Sequence, residues 1–202
     1  MTSTRYDVVG LGNAIVDVLS TADDAFLKSW GIQKDAMTLI EEPRAEELTA
    51  EAKNPIITSG GSGANTIAGI SSFGGSAAYI GKTANDELGR QFREEMAKTG
   101  VPFATHPLEG GPATARCIIF VTDDGARSMN TFLGASVLFS KEDVDEAVVR
   151  EGRILYLEGY LFDKDDAKAA FIHASEIAKS AGRLVALTLS DSFCVDRHRE
   201  SF

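Results

Sequence analysis

From Ser140 to Leu189 the chain alternates between two hydrophobic periods. Ser140 with Asp143 opens a helical segment that stops near Gly152, and Ile154 to Leu157 is an apolar run of strand length. Asp163 to Ala181 reads as a long helix stopped by Gly182, and Leu184 to Leu189 is another strand. Strand, helix, strand in that order predicts parallel neighbours, because a parallel pair needs a crossover long enough to hold a helix. The expected fold class is therefore α/β, a mainly parallel sheet flanked by helices.

The first half supplies more of that sheet and something foreign to it. Val8, Val9 and Leu11 make a strand after Tyr6, and Ile15, Val16, Val18 and Leu19 follow with no helix between. Ala22 to Trp30 and Pro43 to Ala52 read as short helices, with Met37 to Ile40 a strand between them. After Gly60, Gly61 and Gly63, Ala64 to Ser72 is a small-residue helix ending at Gly74 and Gly75, and Ala77 to Ile80 is a buried strand. Asn85 and Asp86 can cap a helix whose Leu88, Phe92 and Met96 repeat every four residues until Gly100. Cys117 to Val121 and Ser128 to Leu133 flank Asp123, Asp124 and Gly125, which predicts a hairpin. The early strand pair and the hairpin do not fit the alternation. They are assigned to a small β-sheet lid made of residues 13–20, 37–40 and 114–134, within one α/β domain over 1–202; the alternative is a single doubly wound domain without a lid.

Composition narrows function more than fold. Thirty acidic against 20 basic residues leave a net charge of −10, which argues against a nucleic-acid partner. No apolar run approaches the roughly 18 residues of a membrane helix, and Met1 to Tyr6 lacks the layout of a secretory signal, so no membrane partner and a cytoplasmic location are expected. Cys117 and Cys194, far apart, suit free thiols in a reducing compartment.

Two glycine motifs are near misses. Gly10-Leu-Gly12-Asn13-Ala14-Ile15 begins like a dinucleotide fingerprint but runs on as a strand where a helix is needed. Gly75 to Thr83 imitates a phosphate loop, with Gly81-Lys82-Thr83 in place, yet Ser76 stands where the spacing demands glycine. Ser59-Gly-Gly-Ser-Gly-Ala-Asn65 is more informative, because glycines let backbone approach a ligand while Asn65 offers a donor and an acceptor; a tight strand-to-helix turn is the plainer alternative. Asp17, inside an apolar alternation, either faces solvent from an edge strand or binds vicinal hydroxyls, and the pattern does not choose between them. His106, His173 and His198 have no metal spacing, and no metal site is expected. Asp196-Arg-His-Arg-Glu200 reads as a solvated helical face.

With these residues in view, the chain resembles the ribokinase-like (PfkB) carbohydrate and nucleoside kinases, specifically the adenosine-kinase branch. Gly10-Leu-Gly-Asn13 to Asp17 is similar to the opening substrate motif. Gly60-Gly-Ser-Gly-Ala-Asn65 through Gly81, and Gly81 to Gly89, are similar to the first signature and its continuation. Arg127 to Ala135, Glu158-Gly-Tyr160 and Asp191 to Arg199 are similar to the nucleoside-kinase branch. The resemblance implies that Asp17 takes the ribose 2′ and 3′ hydroxyls, with Asn13, Gly60, Gly61 and Asn65 completing the sugar site. It also implies that Met37, Leu39, Met129, Leu133 and Tyr160 meet the purine.

The family's second signature, Gly-Ala-Gly-Asp, and its Asn-x-x-Glu motif do not occur in these 202 residues. The resemblance thus implies the N-terminal portion of a longer kinase or a truncated product, lacking the catalytic aspartate and the nucleotide-binding part and inactive alone. The complete protein would use ATP and Mg2+ to phosphorylate a primary hydroxyl, adenosine to AMP first, in purine salvage. A ribokinase- or fructokinase-like sugar kinase is one alternative, and a non-catalytic binding or assembly module another. An open lid could pair between subunits as a homodimer.

Overall fold

The alternation resolves into two sheets rather than one. The computed structural model describes residues 4–202. In chain order the elements are β1 (Tyr6–Leu11), β2 (Ile15–Thr21), α1 (Asp24–Ser29), β3 (Met37–Leu39), α2 (Glu42–Glu51), β4 (Ile56–Gly60), α3 (Ser62–Ser72) and β5 (Ala77–Ile80). They continue with α4 (Glu87–Lys98), β6 (Ala115–Val121), β7 (Arg127–Phe132), α5 (Glu146–Glu151), β8 (Gly152–Glu158), α6 (Asp165–Ser180), β9 (Leu184–Thr188) and α7 (Ser192–His198). One sheet runs β5-β1-β8-β9 with every pair parallel; the other runs β3-β7-β6-β2-β4.

The parallel sheet has helices on both faces, and its strands divide their side chains accordingly. Val9, Leu11, Leu155 and Leu157 pack towards Ala170, Ala174 and Ile177 of α6. Val8, Ala77 and Tyr79 pack towards Ile67 of α3 and Phe92 and Met96 of α4. Phe92 and Met96 are fully buried, which at roughly 1.5–3 kcal/mol for each side chain makes that four-residue repeat the main anchor of α4. Beyond β8 the sheet ends at β9, where Leu184 and Leu187 are exposed.

Helix starts differ from the expectation in three places. Asp86 caps α4 by accepting from the Gly89 amide at 2.7 Å, whereas Asn85 donates instead to Glu109. Ser140 and Asp143 do form a reciprocal capping box, but around a single 3-10 turn, Lys141–Asp143; α5 starts later, capped by Asp145. A 3-10 turn over Gly159–Asp163 likewise takes the first residue assigned to the long helix, so α6 begins at Asp165.

The second sheet is mixed. β2 lies between β4, antiparallel, and β6, parallel; β6 and β7 form the hairpin, and β3 adds in parallel to β7. β4 is an addition that the apolar pattern did not announce, since Thr58, Ser59 and Gly60 lack strand-like alternation. One face of this sheet is covered by the chain itself: Ile118, Phe120 and Phe132 pack against Leu27 of α1 and Ala45 and Leu48 of α2. A homodimer formed through this sheet would have to use an edge, β3 or β4, or the opposite face.

Candidate functional site

A cavity of about 310 Å³ lies between the uncovered face of the mixed sheet, the start of α3 and the turn that follows β8. It opens beyond the carboxyl end of β1 and β8, the end of a parallel sheet where βα loops converge and ligands are bound. The chain reaches it by leaving one sheet for the other through Gly12, Asn13 and Ala14, all but unexposed.

The floor is organised by one carboxylate. Glu158, 1% exposed, accepts from the amide of Asn13 at 2.7 Å and from that of Gly63 at 2.6 Å. Burial pushes its carboxyl up from the ordinary range, and those amide hydrogen bonds oppose the shift. Tyr79 donates its hydroxyl to the Asn13 carbonyl at 3.0 Å, and burial and the nearby Glu158 charge raise that phenol further. Gly12 is required here, because a Cβ would stand 2.8 Å from both the Glu158 carboxylate and the Tyr79 hydroxyl. Gly61 caps α3 at φ +93°, and a side chain on it would meet the Asn13 carbonyl at 2.7 Å. Within this closely satisfied floor, Asn13 Oδ1 is buried and has no hydrogen-bond partner among the described residues.

The mixed sheet forms a wall. Its register lines up Asp17 with Cys117, Cys117 with Thr131 and Thr131 with Leu39, so one row crosses from a carboxylate to an aliphatic side chain. The next row brings Ile119, Met129 and Met37 to the same face. Asp17 is half-buried, and burial pushes its carboxyl up to about 6, with the Arg127 charge pulling the other way. Among the described residues no hydrogen-bond donor reaches it. Gly60 does not line the cavity; it leaves the space that Asp17 occupies, since a Cβ there would fall 2.3 Å from the Asp17 carboxyl carbon. Cys117 is buried, its thiol pushed up to about 11 by burial while Thr131 donates to its sulfur at 3.2 Å.

The third side is the Gly159–Asp163 turn with α7. Tyr160 donates its hydroxyl to Asp191 at 3.0 Å, and Asp191 also caps α7 by accepting from the Cys194 amide at 2.7 Å. Burial first, and that bond to Asp191 second, raise the Tyr160 phenol. Asp196 to Glu200 is not a uniformly solvated face: Arg197 lines the cavity and both Arg197 and His198 bind Asp163.

Nine of the ten residues singled out in sequence, Asn13, Asp17, Met37, Leu39, Gly61, Asn65, Met129, Leu133 and Tyr160, line this one cavity, and Gly60 stands behind Asp17. Glu158, Cys117, Asp163, Phe193 and Arg197 were not among those ten; Glu158, Phe193 and Arg197 lay in stretches quoted for the resemblance without a role of their own, and Glu158, a charge at the end of an apolar strand, also carried a local signal. Lys82 lies elsewhere. Its ammonium sits 2.8 Å from both carboxylate oxygens of Asp143, with the two side chains 13% and 10% exposed. Of the cations in the cavity wall, Arg127 and Arg197, only Arg127 forms no salt bridge among the described residues, although its charge acts on Asp17. No group of three or more His, Cys, Asp or Glu among them is placed to hold a metal ion.

Comparison with known proteins gives a consistent picture. Residues 27–200 match the profile of the pfkB family carbohydrate kinases. The crystal structure of an adenosine kinase from Sinorhizobium meliloti is 52% identical at a TM-score of 0.90, covering 98% of this chain and 61% of that one. A probable sugar kinase from Rhizobium etli CFN 42 is 48% identical at a TM-score of 0.91, covering 98% of this chain and 60% of that one. Fructokinase-1 of Zea mays is 27% identical over 138 residues, 67% of this chain and 43% of its own length. The chain thus spans about three fifths of the two solved relatives and less than half of the maize protein.

Proposed function

Because the chain belongs to the pfkB family of carbohydrate kinases, we propose that its cavity is the acceptor site of a kinase that moves the γ-phosphoryl of ATP to the primary hydroxyl of a nucleoside, adenosine first. The observation that carries this reading is the division of one cavity into two chemistries. Asp17 and the orphaned Asn13 Oδ1 are acceptors without donors among the described residues, as a polyhydroxyl group would require. Across the same sheet face Met37, Leu39 and Met129 offer apolar surface to a flat base. The identity of 52% with an adenosine kinase supports the same choice.

In this reading the residues bind and orient. Asp17 accepts from the two vicinal ribose hydroxyls, and Asn13 Oδ1 accepts from a third donor or shares one. Gly61 and Asn65 close over the sugar from the start of α3, while Glu158 holds the Asn13 and Gly63 amides in place from behind. Arg127, whose charge acts on Asp17 without forming a salt bridge among the described residues, is suited to a phosphate-bearing partner. The cavity closes under the mixed sheet, which acts as its lid.

ATP supplies the phosphoryl group in this family, and magnesium neutralises its charge when both are bound. The described residues do not fit that half of the reaction: Lys82 is engaged with Asp143, and no acidic cluster is placed for a metal. The 202-residue chain is therefore expected to bind acceptor without turning it over. Calorimetric titration with adenosine, ribose and fructose tests the assignment. Adenosine should bind most tightly; ribose binding with no adenosine binding would reverse the ranking. That second reading, a sugar kinase, draws on the maize fructokinase and on the 48% identity with the Rhizobium etli protein. Phosphorylation of adenosine by this chain alone, abolished in Lys82→Ala and unaffected in Asp17→Ala, would overturn the reading altogether.

A further inference from the structure

One assembly in the cavity wall is left without a task by the hydroxyl and lid contacts. Phe193, on α7, is 55% exposed, although its helix is held to the Gly159–Asp163 turn at two points. Cys194 donates its thiol to the Gly159 carbonyl at 3.3 Å, and His198 Nε2 sits 2.7 Å from Asp163. An aromatic side chain that open would ordinarily exchange rotamers. Here the Arg197 guanidinium lies over the ring, its Cζ 4.1 Å from the centroid. Arg197 is itself fixed: Asp163, 34 residues away, accepts from its Nε at 3.1 Å and from Nη2 at 2.9 and 3.1 Å. Burial would raise the Asp163 carboxyl, but the hydrogen bonds from His198 and Arg197 outweigh it and hold the group below its ordinary range, so the clamp is charged at neutral pH. Asp163, Phe193 and Arg197 all line the cavity.

We propose that Arg197, clamped by Asp163, is a positioning residue that fixes the Phe193 ring as a stacking wall for the aromatic base of the ligand, and thereby favours nucleosides over free sugars. The proposal rests on the nucleoside reading above. Arginine covers one face of the ring and leaves the other for a base. A ring already held still costs the incoming ligand less ordering than a mobile one. A free sugar has no flat face to stack, so the clamp contributes to its binding not at all.

Titration of the 202-residue chain with adenosine and with ribose, in Phe193→Leu, Arg197→Met, Arg197→Lys and the Phe193→Leu/Arg197→Met double variant, tests this. Phe193→Leu and Arg197→Met should each weaken adenosine roughly 5–10-fold and leave ribose within about twofold. The double variant should be no weaker than Phe193→Leu, because the arginine acts only through the ring. Arg197→Lys, which keeps a cation beside the ring, should recover part of the loss. Ribose binding also reports that each variant remains folded. Unchanged adenosine affinity in Arg197→Met, losses that multiply in the double variant, or equal loss for both ligands would each overturn the proposal while leaving the nucleoside reading in place. Absence of adenosine binding by the unaltered chain would sink that reading, and the proposal with it.

Discussion

The floor of the cavity buries one carboxylate and its sheet wall half-buries another, and they treat them in opposite ways. Glu158 has backbone amides on both oxygens and sits under a cover of glycines with no room for a side chain. Asp17 has no donor at all among the described residues, and the chain spends a glycine, Gly60, on giving it space. Burial raises the carboxyl of both. A buried charge that is fully hydrogen-bonded fixes backbone, whereas a half-buried one left without protein donors is a cost that water or a ligand must offset. By this contrast the floor is architecture and the wall is recognition.

The sharpest way to break the contrast is to remove Glu158. Glu158→Ala strips two charge-assisted acceptors from buried amides, so unfolding in urea should show a loss of about 3–6 kcal/mol. A loss below about 1 kcal/mol would mean that water replaces the carboxylate and that the floor is not held by it. Asp17→Asn should do the converse. Adenosine affinity should fall by about 1.5–3 kcal/mol for the acceptor oxygen replaced by an amide, while stability stays level or rises as a half-buried charge without hydrogen-bond donors disappears. If stability falls and affinity does not, Asp17 belongs with Glu158 and the contrast is wrong.

How much of this was legible before the fold was known depends on distance along the chain. The parallel sheet came from local periodicity, and Asp17 stood out because it interrupts an apolar alternation. Whether it faced solvent or a ligand was undecidable from that pattern, since the answer lies in the register that sets it opposite Cys117 and Thr58. β4 was invisible for the same reason: Thr58, Ser59 and Gly60 become strand only through pairing with β2. Glu158 gains its meaning from Asn13, 145 residues earlier. Arg197 looked like part of a solvated face because nothing nearby in sequence announces Asp163.

The pH dependence sharpens the comparison further, because the carboxyl of Asp17 lies near 6 in the fold against 3.8 as an ordinary aspartate. Between those values the folded chain binds more protons than the unfolded chain, so stability without ligand falls as pH rises from about 4 to 6 and is level above. Two pKa units set an upper bound of about 3 kcal/mol on the fall attributable to this group. Affinity for a vicinal diol should move the other way, rising through the same window as the acceptor ionises, by at most tenfold per pH unit. Asp17→Asn should flatten both curves. Curves that keep their shape in that variant would assign the titration to another group.

The smallest expected effect probes the apolar end of the row that begins at Asp17. Leu39 shares that row through Cys117 and Thr131 and is 44% exposed, so it has surface still to lose to a ligand. Leu39→Ala removes part of that surface and should weaken adenosine by about 1 kcal/mol, roughly fivefold, at 25 cal/mol per Å² of apolar area withdrawn from water. Stability should change by less than about 0.5 kcal/mol, because the side chain packs little within the fold. Ribose, which would reach only the polar end of the row, should bind as before. Equal weakening of ribose and adenosine would show that Leu39 shapes the wall around Asp17 rather than meeting a base, and would leave the row with one function along its whole length instead of two.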